Sequence, residues 1–571
     1  MIAVYIDKKI RQYENQIKFA FDFIFKTLGY EYKYIKTAAE ILSNDILIYY
    51  GNIHPTLEEA YELVFRKIMF YIPFESELFD YNTLSAEKLR NCTFELEAGV
   101  PIFSNNNIFV SELEEYNGLY YCTLGFDLVG NTFFHLDSGS QIVFSKEEIY
   151  ENKFDIYNEV PFVNRMLQIF EKELMKAYED QYRYFLIKKE MWPQAEEMAV
   201  CISHTIDSLK KWDIKSILKL SIIDFFNFYR ISYFFQTFSS KIKYLLTNYE
   251  EYWNFDKITE LENQYNLLST YFLGVDMHNK SFDYDIEDED LKEELSKIMN
   301  RKCEIALLAP EYSEKEDIYA SQKKIISNLT GKTKIGVRQQ NLGYDRKVTA
   351  ELHEKNNFHY DSSLCYSKTS GFKNGIASGF RHFRRLNFEV PEGGVINFSL
   401  NHIEIPIVFA ANTLVLSKYK VVPEDDAKQL VRKLIKNSKD VQGLFAYDFP
   451  MTSFADVKYS ENLFHYIQEE LGKIKTYYDT FEEIATWIKK RDDVFIREKN
   501  RRINIYFPHY FSHFSCRILG DHKIAVIDYD NVKVIGNFLY FKNIPSDTNI
   551  TIILEVPDST KYTTTEKYED E

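Results

Sequence analysis

"AVCISHTIDSLKKWD", residues 199–213, decides how the chain is read. An apolar run from Ala199 to Ile202 is followed at once by His204, Thr205, Asp207 and Ser208. A short strand ending in acid and imidazole groups is how α/β enzymes present a base or metal ligand at a strand's carboxyl end. One group is missing: Thr205 stands where a second carboxylate would make a general base beside Asp207. The stretch is an active site or the remains of one.

Around it, about 196–492, strand-like runs ("AVCIS", "STYFLGV", "CEIALLA", "KIGVR", "GVINFSL", "GLFAYDF") alternate with helical patterns such as "EDLKEELSKIMN", "RKVTAELHEKN" and "EDDAKQLVRKLIKNS". Repeated β–α units predict a parallel sheet closed or nearly closed into a (β/α) barrel. An aromatic stretch at about 214–258 interrupts it, with the apolar spacing of helices that pack on a core. Residues 1–195 read as an α+β domain: "QIKFAFDFIFKTLGY" as a helix ended by Gly29, "DILIYYG" as a buried strand, "GVPIFSNNNIFV" and "GLYYCTLGFDLVGNTFF" as short strands and turns, and a long helix at 160–186. Residues 493–571 read as a small all-β, sandwich-like domain with a polar, disordered tail.

The chain has 571 residues, too many for one ordinary core. Its 69 basic against 86 acidic residues give a net charge of −17, which argues against a general nucleic-acid binder. No apolar run approaches the roughly 20 residues that span a bilayer. Six scattered cysteines without a CxxC pair, and no signal-peptide pattern at the start, predict a reduced, cytoplasmic chain. The aromatic content follows a bias toward Lys, Ile, Asn and Tyr, and is not read as sugar-stacking platforms.

The central part resembles the NodB-type polysaccharide deacetylases, in particular the bacterial subgroup that carries an extra N-terminal domain. The subgroup's T-H-D-V-D-S-L-K-K motif is matched by "SHTIDSLKK" (203–211), and its second strand by "QYNLLSTYF" (264–272). The following segments are matched by "FDYDIEDEDLKEELSKIMNRKCEIALLAPEY", "GVRQQNL", "YDSSLCYSKTSGFKNG", "EIPIV" and, weakly, "AYDFPMTSF". The matched order covers about 250 residues and most of the barrel.

That resemblance implies hydrolysis of an N-acetyl group from an amino sugar. A zinc ion, held by one Asp and two His, polarises the carbonyl and activates water; a second Asp acts as base, an Arg orients it, and a late His protonates the amine. Carried onto this chain, the metal-ligand Asp is Asp207, the base position is Thr205, and the two His positions fall on Leu308 and Gln340. The late His falls near Tyr447 or Asp448, while Arg338 and Asp361 are kept. One ligand cannot hold zinc, so no cofactor is expected unless the chain is active, when zinc or another divalent metal would be needed.

Each surviving residue also has a structural reading. Asp207 can cap the helix after it, and Arg338 with Asp361 can form a buried ion pair at the barrel mouth. His204 reads first as a packed, hydrogen-bonded histidine. Arg381, His382 and Arg384 in "GFRHFRR" read as a solvated basic loop or as a grip for a nucleotide-sugar diphosphate. His402 and Glu404 in "NHIEIP" are a titratable pair at a strand end. His509 and His513 would share a helical face only against the local β pattern. The expectation is a degenerate deacetylase-like protein of surface-polysaccharide metabolism, binding a carbohydrate or assembling with a protein. The alternatives are an active hydrolase with a rearranged site drawn from His204, Asp207, Asp361, His382 and His402, or a purely structural or partner-binding chain.

Overall fold

The computed structural model describes residues 1–555 apart from 38–39, 41–45, 65–67, 82, 97–98, 106–111, 117–118, 147–155, 180–185, 213–239, 248, 276–281, 311–315, 346–347, 386–397, 418–419, 500 and 521. Most of the aromatic stretch at 214–258, most of the expected strand "GVINFSL" and the polar tail thus lie outside the described residues.

A nine-stranded, wholly parallel sheet organises the middle of the chain. Its strands are β1 (Met198–Ile206), β2 (Thr270–Gly274), β3 (Glu304–Ala309), β4 (Val337–Gln339), β5 (Tyr360–Asp361), β6 (Ile403–Glu404), β7 (Phe409–Ala410), β8 (Leu444–Asp448) and β9 (Thr476–Tyr478). The order is β6-β5-β4-β3-β2-β1-β8-β7, with β9 paired to the start of β1. The sheet curls into a half-barrel in a mixed α/β protein. Helices such as Phe255–Gln264, Glu289–Asn300, Glu316–Thr330 and Glu424–Asp440 return the chain between strands, as parallel pairing requires. Strand residues are buried almost without exception, because both faces of the sheet are covered.

The N-terminal part departs from its α+β reading. Strands Tyr32–Ile35, Ile2–Ile6, Ile46–Gly51, Ile68–Pro73 and Leu119–Thr123 lie side by side in that order and in parallel; only Glu112–Tyr116 is antiparallel. This is a doubly wound α/β sheet, and the helix Glu14–Leu28 is its first crossover. Residues 128–136, read as strand and turn, form a helix capped by Asp127, whose carboxylate accepts from the Gly130 amide. The long helix is present at Phe162–Glu179.

The C-terminal part packs two four-stranded sheets with Phe507, Phe514, Phe541 and Ile552 buried among its core residues. One strand comes from elsewhere: Leu186–Lys189, counted above with the N-terminal domain, pairs antiparallel with Phe511–Leu519. His509 and His513 are not on a helix; His513 lies in that strand, and His509 meets Asp493 at 2.7 Å. No described helix is long and apolar enough to cross a membrane.

Candidate functional site

Alternation along β1 decides which of its polar groups can act together. Successive side chains point to opposite faces, so Ser203, Thr205 and Asp207 share the barrel side and His204 faces outward. His204 is fully buried, with Nδ1 2.8 Å from the Phe449 carbonyl and Nε2 3.1 Å from Glu262 on the helix Phe255–Gln264. It is the packed histidine of the first reading and takes no part in the barrel mouth.

Arg338 on β4 reaches across the barrel to the residues of β1 and β8. Its Nη1 donates to Thr205 Oγ1 and to Asp448 Oδ1, both at 2.9 Å. Its Nη2 donates to Ser203 Oγ (3.0 Å) and Ser362 Oγ (3.2 Å), and Nε to the Ser362 carbonyl (3.1 Å). All five guanidinium donors are used, and the guanidinium stacks 3.8 Å over the Phe272 ring. Ser203 and Thr205 in turn donate to Asp448, Ser203 to Oδ1 at 2.6 Å and Thr205 to Oδ2 at 3.0 Å. Arg338 therefore fixes a carboxylate in place and keeps no donor for a ligand.

The expected Arg338–Asp361 pair does not form. Asp361 belongs to the opposite face of its strand, where its Oδ2 lies 2.7 Å from His353 Nδ1. Burial opposes its ionisation, yet His353, His402 and Ser363 around it together outweigh burial and hold the carboxyl down at about 2. The same outer cluster holds His382, with Nε2 3.2 Å from Glu404, and His402, with Nδ1 3.4 Å from Glu354. Burial lowers both imidazoles to about 4.

"GFRHFRR" is not a solvated loop, since each of its arginines meets a carboxylate. Arg381 pairs with Asp492 at 2.5 Å, Arg384 with Glu354 at 2.8 Å, and Arg385 with Asp137 of the N-terminal part. The residues named from sequence thus fall into three places: His204 outside β1, Asp207 with Arg338 in the mouth, and Asp361, His382, His402 and Glu404 behind β5 and β6.

The mouth contains a cavity of about 530 Å³, counting its open side. Thr205, Asp207, Leu308, Arg338, Gln340 and Asp448 are among the residues that line it. Burial and the nearby charges of Asp448 and Asp283 raise the Asp207 carboxyl to about 6, and its Oδ1 meets no hydrogen-bond donor. Cys365 also lines the cavity, but burial pushes its thiol up to about 12 and it offers no thiolate nucleophile near neutral pH. The zinc implied by the resemblance does not fit this donor set. Leu308 has no lone pair, Gln340 is an amide, and Asp448 is committed to Arg338 and two hydroxyls.

Asp448 is the residue the sequence reading passed over. The resemblance marks Tyr447 or Asp448 only as the place of a departed histidine, although a carboxylate at the carboxyl end of a buried strand, in register with Ser203, is itself a signal. His353 and Glu354 carried no signal, because a helix face brings them to the cluster.

No family model matches the chain, and no curated protein matches it. Among solved structures, a putative polysaccharide deacetylase from Mycobacterium smegmatis is 15% identical, covering 52% of this chain and 92% of its own, at a TM-score of 0.33. Puue allantoinase is 11% identical over 52% of this chain and 92% of its own, at a TM-score of 0.34. A CE4 family pseudoenzyme from Bacillus anthracis is 8% identical over 51% and 66%, at a TM-score of 0.25. These scores assign the chain to none of their families.

Proposed function

We propose that this is a deacetylase-like carbohydrate-binding protein whose barrel mouth holds a hydroxyl-bearing ligand without metal-assisted hydrolysis. The observation that carries the reading is the Arg338–Asp448–Ser203–Thr205 network. It places a fixed acceptor, Asp448, whose Oδ2 takes only the Thr205 hydroxyl among the described residues, in the lining of the cavity at the barrel mouth. Leu308 and Gln340 supply wall where a hydrolase of this design would need two imidazoles. The sequence resemblance supports the choice of a sugar.

Repair of the donor set tests the loss of metal chemistry. Thr205→Asp alone would set a second carboxylate against Asp448, so Asp448→Asn is combined with Thr205→Asp, Leu308→His and Gln340→His. The combined variant should bind zinc in calorimetry where the parent does not, because ligands at suitable distances suffice for binding. One zinc per chain in the parent, lost on Asp207→Ala, would overturn the reading.

A further inference from the structure

The charges that line the mouth do not balance. Asp207 and Asp448 bring two carboxylates and Arg338 one guanidinium, and no other charged side chain lines the cavity among the described residues. Arg338 is spent on Asp448 and on four hydroxyl or carbonyl oxygens. No described Lys, Arg or His forms an ion pair with Asp207, and its Oδ1 is closed to water without a donor. The adjacent Asp283 adds no cation; it accepts from Ser208, Leu209 and Lys210 and holds the loop after β1. A part-buried carboxylate that has the Asp207 and Ser208 amides beside it but no counter-charge, and whose Oδ1 is closed to water without a partner, is costly in the free protein, and a ligand that supplies a donor and a positive charge relieves that cost.

We propose that the mouth takes a cationic ligand, a sugar carrying a free amine, with its ammonium beside Asp207 and its hydroxyls toward Asp448. An ammonium brings three donors and one positive charge, which is what the lining lacks. An N-acetyl group at the same place would bring a single N–H, no charge, and a carbonyl facing two carboxylates. This inference rests on the reading of the mouth as a sugar site, and the test separates the two.

The dimer of β-1,4-linked glucosamine and its N,N′-diacetyl form are titrated into the full chain by calorimetry at about 0.15 M salt, where long-range charge attraction is screened. The amine form should bind at least ten-fold more tightly than the diacetyl form. Asp207→Asn, checked for an unchanged circular dichroism spectrum, should bring the two within about two-fold. That variant alters a single charge in a chain of net charge −17, so a general attraction for amines would survive it. Equal or tighter binding of the diacetyl form, or a preference that persists in Asp207→Asn, would overturn the cationic ligand and leave the sugar site standing. Binding of neither dimer would overturn both.

Discussion

Replacing Arg338 by methionine would leave Asp448, 6% exposed, buried beside two hydroxyls with no counter-charge. Removing one partner of a buried pair costs about 3–5 kcal/mol, and Arg338→Met should lower the unfolding free energy by that amount in urea. Asp448→Asn combined with Arg338→Met should cost less than the sum of the single changes; strict additivity would mean that the pair is not coupled. Asp207 carries a different prediction, because its carboxyl is raised in the folded protein. The folded state then binds the proton more strongly than the unfolded chain, so its contribution to stability falls as pH rises from about 4 to 6. Asp207→Asn should be the more stable protein at pH 7.5 by about 2 kcal/mol, with the difference vanishing below pH 4. Thermal melts across that range read the effect, and a constant difference would refute it. The sequence showed these residue types but not their partners. Period-two alternation separates His204 from Asp207 correctly, whereas nothing in a sequence says that Asp448 takes the guanidinium from Asp361.

The segment 379–385 shows what paired charge does to an element. Arg381 and Arg384 are almost equally exposed, but Asp492 is 6% exposed against 14% for Glu354, which also accepts from the Asn401 backbone and side-chain amides. Arg381→Met should therefore cost about 3 kcal/mol in chemical denaturation and Arg384→Met less than about 1. Equal effects would mean that burial does not set the strength of these pairs. Basic residues in a row look like a loop for phosphate until their carboxylate partners, more than a hundred residues downstream in the case of Asp492, are seen. Element types were legible where periodicity ran long, as in Glu14–Leu28 and Glu424–Asp440. They were not legible for β5 and β6, two residues each, which register and neighbours define. The parallel order of the N-terminal sheet was hidden for a related reason: short buried strands read alike whichever way they run.

Across the whole molecule a crossing strand ties the N- and C-terminal parts together. Leu186–Lys189 completes the second C-terminal sheet, and the Lys189 carbonyl closes on Gly29, where the helix Glu14–Leu28 ends at φ +85°. A Cβ at residue 29 would stand 2.1 Å from that oxygen, so only glycine allows the approach. The boundary expected near 195 cuts behind this strand, because a lone four-residue run gives no hint of its partner. A fragment of residues 196–571 should expose the edge of Phe511–Leu519 and aggregate, whereas one starting at residue 180 should stay monodisperse on gel filtration. Identical behaviour of the two would show that the strand is dispensable. The same scale holds the proposed carbohydrate site at the barrel mouth, which works without metal. Titration of a partially N-acetylated chitotetraose into the full chain, with a chelator present, tests it most directly. Saturable binding that the chelator leaves intact, and that Asn412→Trp at the cavity's exposed rim abolishes, is the predicted result. Binding that needs added zinc, or that Asn412→Trp leaves untouched, would contradict it.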